Sequence, residues 1–519
     1  MMLSPSEILK KTTALFAAII CLYFACKLIL MGTGFYPQPK LTDILLFAIL
    51  IVIFNSSKNL FYFLLLPFII AHALYAPVGI TFGAPSYQYI ASVFATDLME
   101  SREFLSQLSI KNYLMPAGII GLTLAFRWIT QKYDLKLHKN KMFLASITAF
   151  MLLANSPFKF IDEISTSGTQ VISELQRLNN MTIESEWGDS QLINSNYDDY
   201  VLIVGESARK DYHHAYGYPV KNTPFMSKAN GVLIDGMTAG GTNTIASLKL
   251  MFTQPNTQTK EGNYSLNFVD LIKSAGIKTY WISNQGYLGE FDTPISAIAN
   301  KSDEKIFLKS GDSLNSNTSD FELLPKFTQV LERPSTGKRF IVVHLYGSHP
   351  ITCDRLNDYP KLFDDDKIAK KYFNVNCYIS SIKKTDEVIK RIYDALAENK
   401  AKTDRTFSMI YFSDHGLAHQ ITEDNIVIHN SSGKSKRHYD IPLFKISSDD
   451  TKRHEYRVFK SGLNFTAGLA YWVGISNAKL AVREDLFSNE PDKDDYGLKA
   501  EIDKIDVPED KAVVIPGTH

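Results

Sequence analysis

Tyr200-Val201-Leu202-Ile203-Val204-Gly205-Glu206-Ser207 decides the fold class: a short apolar run, rich in β-branched residues, ends in a glycine and then an acid. Such runs read as strands. Others follow at 278–283, 339–345, 406–412 and 441–446, separated by longer amphipathic stretches at 245–252, 266–275, 321–332 and 367–399. That alternation predicts an α/β sheet protein. In an open α/β sheet the functional residues gather where strands end and loops begin. The unusual residues fall there: Gly205-Glu206-Ser207 after the first run, Gly347-Ser348-His349-Pro350 after another, and Ser413-Asp414-His415-Gly416 after a third. No internal repeat is visible, and 310–319 and 430–436 read as loops.

Outward from this core the chain changes character. It has 519 residues, too many for one ordinary core, and Lys+Arg and Asp+Glu both total 55. That balance speaks against a nucleic-acid partner, which would bring a basic excess. The first 155 or so residues carry long apolar runs at 12–31, 41–54, 60–78, 113–129 and 142–158. A membrane crossing needs about 20 such residues, so five spans are expected, the second and fifth being short. Lys10, Lys11, Lys58, Arg127, Lys132, Lys136, Lys139 and Lys141 fall on one side of that arrangement. The opposite loops are poor in base, which puts the N-terminus in the cytoplasm and everything after about Pro157 outside. The run of spans argues against a cleaved signal peptide. The segment 76–108 reads either as an interfacial helix or as a plain loop. The expected division is 1–157 transmembrane, 158–196 bridging helices and 197–519 catalytic. Of the four cysteines, Cys21 and Cys26 lie in the first apolar run, while Cys353 and Cys377 are either a disulfide or two free buried thiols.

Two carboxylates and an imidazole, Glu206, Asp414 and His415, make a donor set for a divalent cation, and its mixed nitrogen and oxygen character favours zinc or manganese. Singly, each is as readily a cap or a hydrogen-bonded loop residue. Gly240-Gly241-Thr242-Asn243-Thr244-Ile245-Ala246-Ser247 places hydroxyls at the start of an apolar helix, where amide N–H groups and the helix dipole suit a phosphoryl oxygen. A threonine there is a nucleophile if a metal lowers its pKa, or simply an N-cap.

These segments, in this order, resemble the phosphoethanolamine transferases of the alkaline phosphatase and sulfatase superfamily. The matching stretches are Val201 to Arg209, Gly217-Tyr218-Pro219, Thr223-Pro224, Gly241-Thr242-Asn243-Thr244, Gly347-Ser348-His349-Pro350 and Ser413-Asp414-His415-Gly416. The resemblance extends over nearly the whole chain. It implies a sulfatase-like α/β domain with a central mixed sheet behind five transmembrane helices, in the bacterial inner membrane with the catalytic part in the periplasm. It further implies that Glu206, Asp414, His415 and Thr244 bind Zn2+, with Mn2+ as the alternative, and that Thr244 is the nucleophile. Thr242 matches a residue lining the substrate pocket, His349 and His429 match histidines near the transferred headgroup that bind either a second metal or the donor phosphate, and Asn284 aligns loosely with a headgroup-contacting asparagine. Gly240 stands where the antibiotic-resistance members have cysteine, and Leu417 and His419 follow Asp-His-Gly where they have glutamate, which points to another branch.

The implied reaction moves phosphoethanolamine from phosphatidylethanolamine to Thr244 and then to a hydroxyl of lipopolysaccharide (lipid A or core sugar), a periplasmic glucan or another envelope acceptor. The expected partners are that lipid donor, the acceptor and membrane lipids, with the enzyme a monomer. Phosphoglycerol transfer, as in lipoteichoic acid synthesis, is the first rival reading. A sulfatase-like hydrolase is the second, weakened by threonine standing where sulfatases carry Cys or Ser. A non-catalytic relative is the third, and it would be expected to have lost a ligand.

Overall fold

The computed structural model describes residues 4–86, 89–90, 101–102, 104–105, 108–136, 157–180, 183–287, 293–310, 317–429, 435–506 and 509–517. The bulk of the expected fifth span and of the loops 310–319 and 430–436, with much of 76–108, lies outside them. The chain packs as two units, one holding Met1–Ile90 and Phe104–Val171, the other Ala91–Glu103 and Ile172–His519.

In the first unit three helices are long and apolar enough to cross a membrane: α1 (Pro5–Gly32), α3 (Lys58–Phe82) and α4 (Ile110–Lys132). Between the first two lies α2 (Leu41–Phe54), apolar but only 14 residues long and short of the usual span. Among the described residues there are thus three helices of spanning length, not the five expected. Their outward faces carry Phe16, Phe63 and Leu74, 64–76% exposed, as a hydrocarbon-facing surface would. Their inward faces pack closely. A Cβ on Gly79 of α3 would come 1.9 Å from the Gly32 carbonyl oxygen of α1, so only glycine allows that approach. Cys26 is buried in this bundle and Cys21 is half-buried, both free. Past the bundle, α5 (Lys159–Asn180) runs across the boundary between the units.

The second unit is built on an eight-stranded sheet. Its strands are β1 (Asp199–Gly205), β2 (Gly231–Met237), β3 (Lys278–Tyr287), β4 (Glu304–Ser310), β5 (Arg339–His344), β6 (Phe407–Ser413), β7 (Leu443–Ser447) and β8 (Arg453–Lys460). The spatial order is β8-β2-β7-β6-β1-β5-β3-β4. β7 runs antiparallel to both neighbours, and the pairs from β6 through β1, β5 and β3 to β4 are parallel, so the sheet is mixed. Central strand β1 is buried along its whole length. Val201 and Ile203 meet one apolar layer, and Leu202 and Val204 meet the other. Helices α6 (Thr244–Met251), α7 (Phe268–Ser274), α8 (Leu323–Leu331) and α9 (Phe373–Thr403) complete the scaffold. This is the mixed α/β sheet expected.

The two ends of the sheet treat charge differently. At the start of β1, Asp199 is clamped by Arg339 through Nε at 2.6 Å and Nη2 at 2.8 Å, and by Arg405. Burial alone would raise that carboxyl, but the two guanidinium groups hold it below its ordinary value. It is a satisfied structural cluster. At the opposite end, the acids are not paired off in this way.

Cys353 and Cys377 are joined, tying the segment after β5 to the first turns of α9. The two sites are 24 residues apart in sequence, and closing such a loop stabilises a fold by roughly 2–4 kcal/mol. Cys353→Ser/Cys377→Ser should therefore lower the unfolding free energy by about that amount. Thiol labelling of the native, unreduced protein should reach neither residue. Labelling at both would show the bond absent.

Candidate active site

In β1 and β6, Gly205 pairs in register with Ser413. The next residues, Glu206 and Asp414, therefore leave the sheet side by side. His415 follows. The ligating atoms of Glu206, Asp414 and His415 all lie within 4.8 Å of one another, and each residue is at most 1% exposed. His415 Nε2 lies 3.5 Å from Glu206 Oε1 and 3.4 Å from Asp414 Oδ2.

Thr244 opens α6 above this group. Asn243 is the N-cap: its Oδ1 accepts the Ala246 N–H at 2.9 Å. The Thr244 hydroxyl is therefore not the helix cap. It lies 3.2 and 3.4 Å from the Glu206 carboxylate oxygens and 3.4 Å from His415 Nε2. Thr244 is half-buried, while the residues on either side of it are buried. The glycines before it let the loop fold onto the helix. A Cβ on Gly241 would lie 2.7 Å from the Ala246 carbonyl carbon. Ser247 then ties α6 to the loop after β6, donating to the Asp414 carbonyl at 2.6 Å and accepting from the Gly240 N–H at 3.0 Å.

The electrostatics of this group call for a cation. Burial alone would raise Glu206, but the hydrogen bond and charge of His415 hold it well below the usual carboxylate range. Burial, reinforced by the neighbouring Glu206 charge, pushes Asp414 up to about 7. Burial would lower His415, yet Asp414 and Glu206 together raise it to about 9. Asp414 Oδ1 is satisfied by the Ser207 and His415 N–H groups at 2.9 and 2.7 Å. Among the described residues, Asp414 Oδ2 is buried with no hydrogen-bond partner. An orphaned buried carboxylate oxygen facing a second carboxylate and an imidazole is what a divalent ion satisfies. The residues present thus fit the implied metal.

Loop geometry supports this placement. Ser207 adopts a left-handed backbone, φ 55°, and its hydroxyl donates to Glu206 Oε1 at 2.6 Å. Strain of this kind, held by the surrounding structure, is typical of functional loops.

Thr242 is buried two residues before Thr244. His349 is half-buried and stacks on Tyr346 with ring centroids 4.8 Å apart. His429 is buried at the end of a two-stranded hairpin, Ala418–Ile421 with Ile426–His429. The Asn284 amide is engaged elsewhere. Its Nδ2 donates to the Thr318 carbonyl and to Asp320 Oδ1, both at 2.8 Å. The next residue, Gln285, reaches in instead, donating from Nε2 to Glu206 Oε2 at 3.3 Å and to the Leu345 carbonyl at 2.7 Å. A register shift in β3 between Ser283 and Gly286 explains the exchange, and no sequence spacing announces it. His419 is engaged elsewhere, with Asp510 Oδ1 at 2.5 Å and the Tyr212 hydroxyl at 2.5 Å.

The sulfatase family model matches residues 198–475, the stretch that carries the whole sheet and every metal-ligand candidate. A Haemophilus influenzae protein assigned as a phosphoethanolamine transferase is 55% identical over 425 residues, covering 80% of this chain and 87% of its own. The chain belongs to the sulfatase family and, within it, to the phosphoethanolamine transferases. The phosphoethanolamine transferase OpgE of Escherichia coli is 28% identical across 98% of both chains. Among solved structures, the integral membrane lipooligosaccharide phosphoethanolamine transferase A of Neisseria meningitidis aligns over 89% of this chain and 96% of its own, with a TM-score of 0.60. At 16% identity that likeness is one of fold. The transferase family thus accounts for the apolar N-terminal helices and the sulfatase-like domain in one chain.

Proposed function

We propose that this phosphoethanolamine transferase family member moves phosphoethanolamine from phosphatidylethanolamine to a hydroxyl of an envelope glycan or lipid, through a covalent intermediate on Thr244. The observation that carries the reading is the Thr244 hydroxyl. It is freed from capping by Asn243, reachable from solvent, and set 3.2–3.4 Å from Glu206 and His415. Glu206, Asp414, His415 and Thr244 would hold the ion, with zinc fitting the donor set and manganese the alternative. A bound divalent cation supplies Lewis acidity, lowering the pKa of the hydroxyl and offsetting charge on the phosphoryl oxygens.

The chain's own residues do the rest. Asn243 and Ser247 fix the first turn of α6, so the Thr244 oxygen meets the phosphorus in one orientation. The positive end of α6 faces the phosphoryl group. The Thr244 Oγ1–P bond forms as the P–O bond to diacylglycerol breaks, and the hydroxyl proton ends on the diacylglycerol oxygen. An acceptor hydroxyl then attacks the same phosphorus. The Thr244 oxygen leaves and recovers a proton, and phosphoethanolamine passes to the acceptor. Gln285 holds Glu206 in place, and Thr242, His349 and His429 would serve the headgroup.

A lipid donor explains why the catalytic unit is tethered to apolar helices. We place the chain in the inner membrane with five crossings over 1–157, a bridge over 158–196 and the catalytic part, 197–519, in the periplasm as a monomer. The Lys/Arg distribution and the extracytoplasmic chemistry of a disulfide support that side. Mass spectrometry of envelope lipids and glycans from cells with and without the gene tests the reading. Phosphoethanolamine should disappear from one class of molecule and return with the intact gene. Loss of a phosphoglycerol group instead, or no change in any phosphoethanolamine-bearing molecule, would contradict it.

A further inference from the structure

Helix α6 is eight residues, little more than two turns, so whatever holds its ends also places Thr244. The N-terminal end is fixed by Asn243 and by the Ser247 bond to Asp414. The C-terminal turn carries Lys249, a charged residue only 4% exposed. Lys249 Nζ lies 3.5 Å from Glu174 Oε2. Glu174 Oε1 in turn accepts the Tyr264 hydroxyl at 2.6 Å. The side chains of this pair are 5% and 10% exposed, so the charges meet in a medium that screens them poorly. Glu174 does not come from the sheet or its loops. It comes from α5, the helix that leads into the catalytic unit from the apolar half of the chain.

We propose that Glu174 is a positioning residue for the transfer reaction: through Lys249 it fixes α6 and so holds Thr244 beside Glu206 and His415. The proposal rests on the reading of Thr244 as the nucleophile. A shift of about 1 Å in a reacting group can cost on the order of a hundredfold in rate. Removing one member of a buried ion pair takes from the other the counter-charge of that pair, whereas removing both keeps the charges matched. Glu174→Gln keeps the shape and an acceptor for Tyr264 but removes the charge opposite Lys249.

The test is a double-mutant cycle on the full chain in detergent or lipid, with Glu174→Gln, Lys249→Met and the pair together. Two readouts are taken: the first-turnover rate of adduct formation from phosphatidylethanolamine, and amide hydrogen exchange in residues 244–251. Glu174→Gln should slow adduct formation at least about tenfold, leave the donor KM within about twofold, and speed exchange in α6 but not in β1 or β6. The paired variant should recover most of the rate and of the exchange protection. A wild-type rate in Glu174→Gln, a slow rate with unchanged α6 exchange, or a paired variant as slow as the sum of its parts would each overturn the proposal. If the wild-type protein forms no adduct, the reading of Thr244 fails, and α6 exchange alone still decides whether Glu174 holds that helix.

Discussion

Thr244→Ala should abolish transfer while leaving the fold and the bound metal largely intact. An unperturbed hydroxyl is a poor nucleophile, and it gains reactivity only beside a metal or base. The Thr244 hydroxyl opens a helix beside the candidate metal group, 3.2 Å from Glu206 and 3.4 Å from His415. Removing it deletes the covalent route, for which a loss on the order of a thousandfold or more is expected, as for other nucleophile deletions. The helix cap is untouched, because Asn243 provides it. Stability should therefore change by less than about 1 kcal/mol, the usual value of a lost cap. Thr244→Ser keeps the oxygen and should retain part of the activity, reduced because the serine side chain lacks the methyl that limits its rotamers. Steady-state transfer rates and thermal melts of the three proteins decide this. A fully active Thr244→Ala would remove the covalent mechanism from this residue.

Metal binding should be proton-coupled, and Asp414→Asn should remove metal and activity together. In the metal-free site the cation's place is taken by protons, with Asp414 up at about 7 and His415 up at about 9. A bound ion requires Asp414 ionised and His415 neutral. Each proton that must be displaced weakens binding about tenfold for every pH unit below the pKa concerned. Affinity for zinc should thus fall about tenfold per unit as pH drops from 9 to 7, where His415 alone is deprotonated on binding. It should fall more steeply below 7, where Asp414 joins. Calorimetry in buffers of different ionisation enthalpy should count close to one proton released at pH 8 and between one and two at pH 6. Asp414→Asn preserves an acceptor for the Ser207 and His415 amides but loses the ligand charge. It should bind zinc at least about a hundredfold more weakly, beyond the effect of altering an outer partner. Zinc affinity flat with pH, or full activity of a metal-free preparation, would end the proposal.

Much of this was legible in the sequence because the signal is local. Glu206, Asp414 and His415 each follow a buried strand directly, and the paired strand ends bring them together. Edge and near-edge strands were harder to see. β8 (Arg453–Lys460) has alternate charged residues along an exposed edge, which guard against unwanted pairing and blur the apolar pattern. β2 begins at Gly231 and contains Gly236, both with positive φ, and so resembles a loop. Asn284 and Gln285 differ by one position, and only the irregular register of β3 tells which side chain points at Glu206. Arg209, His419 and Asp510 meet from three distant parts of the chain, with Arg209 Nη1 3.1 Å from Asp510 Oδ2, and no spacing announces such a contact. The capping of α6 by Asn243 rather than by a threonine is likewise a matter of side-chain geometry.

The central claim is that Thr244 carries phosphoethanolamine between donor and acceptor. Wild-type protein loaded with zinc should be incubated with phosphatidylethanolamine and no acceptor, then measured by intact-mass spectrometry and peptide mapping. The account predicts one phosphoethanolamine group per chain, on the peptide containing Thr244, absent from Thr244→Ala and discharged when acceptor is added. A wild-type chain that turns over donor and acceptor with no adduct on Thr244 would contradict it.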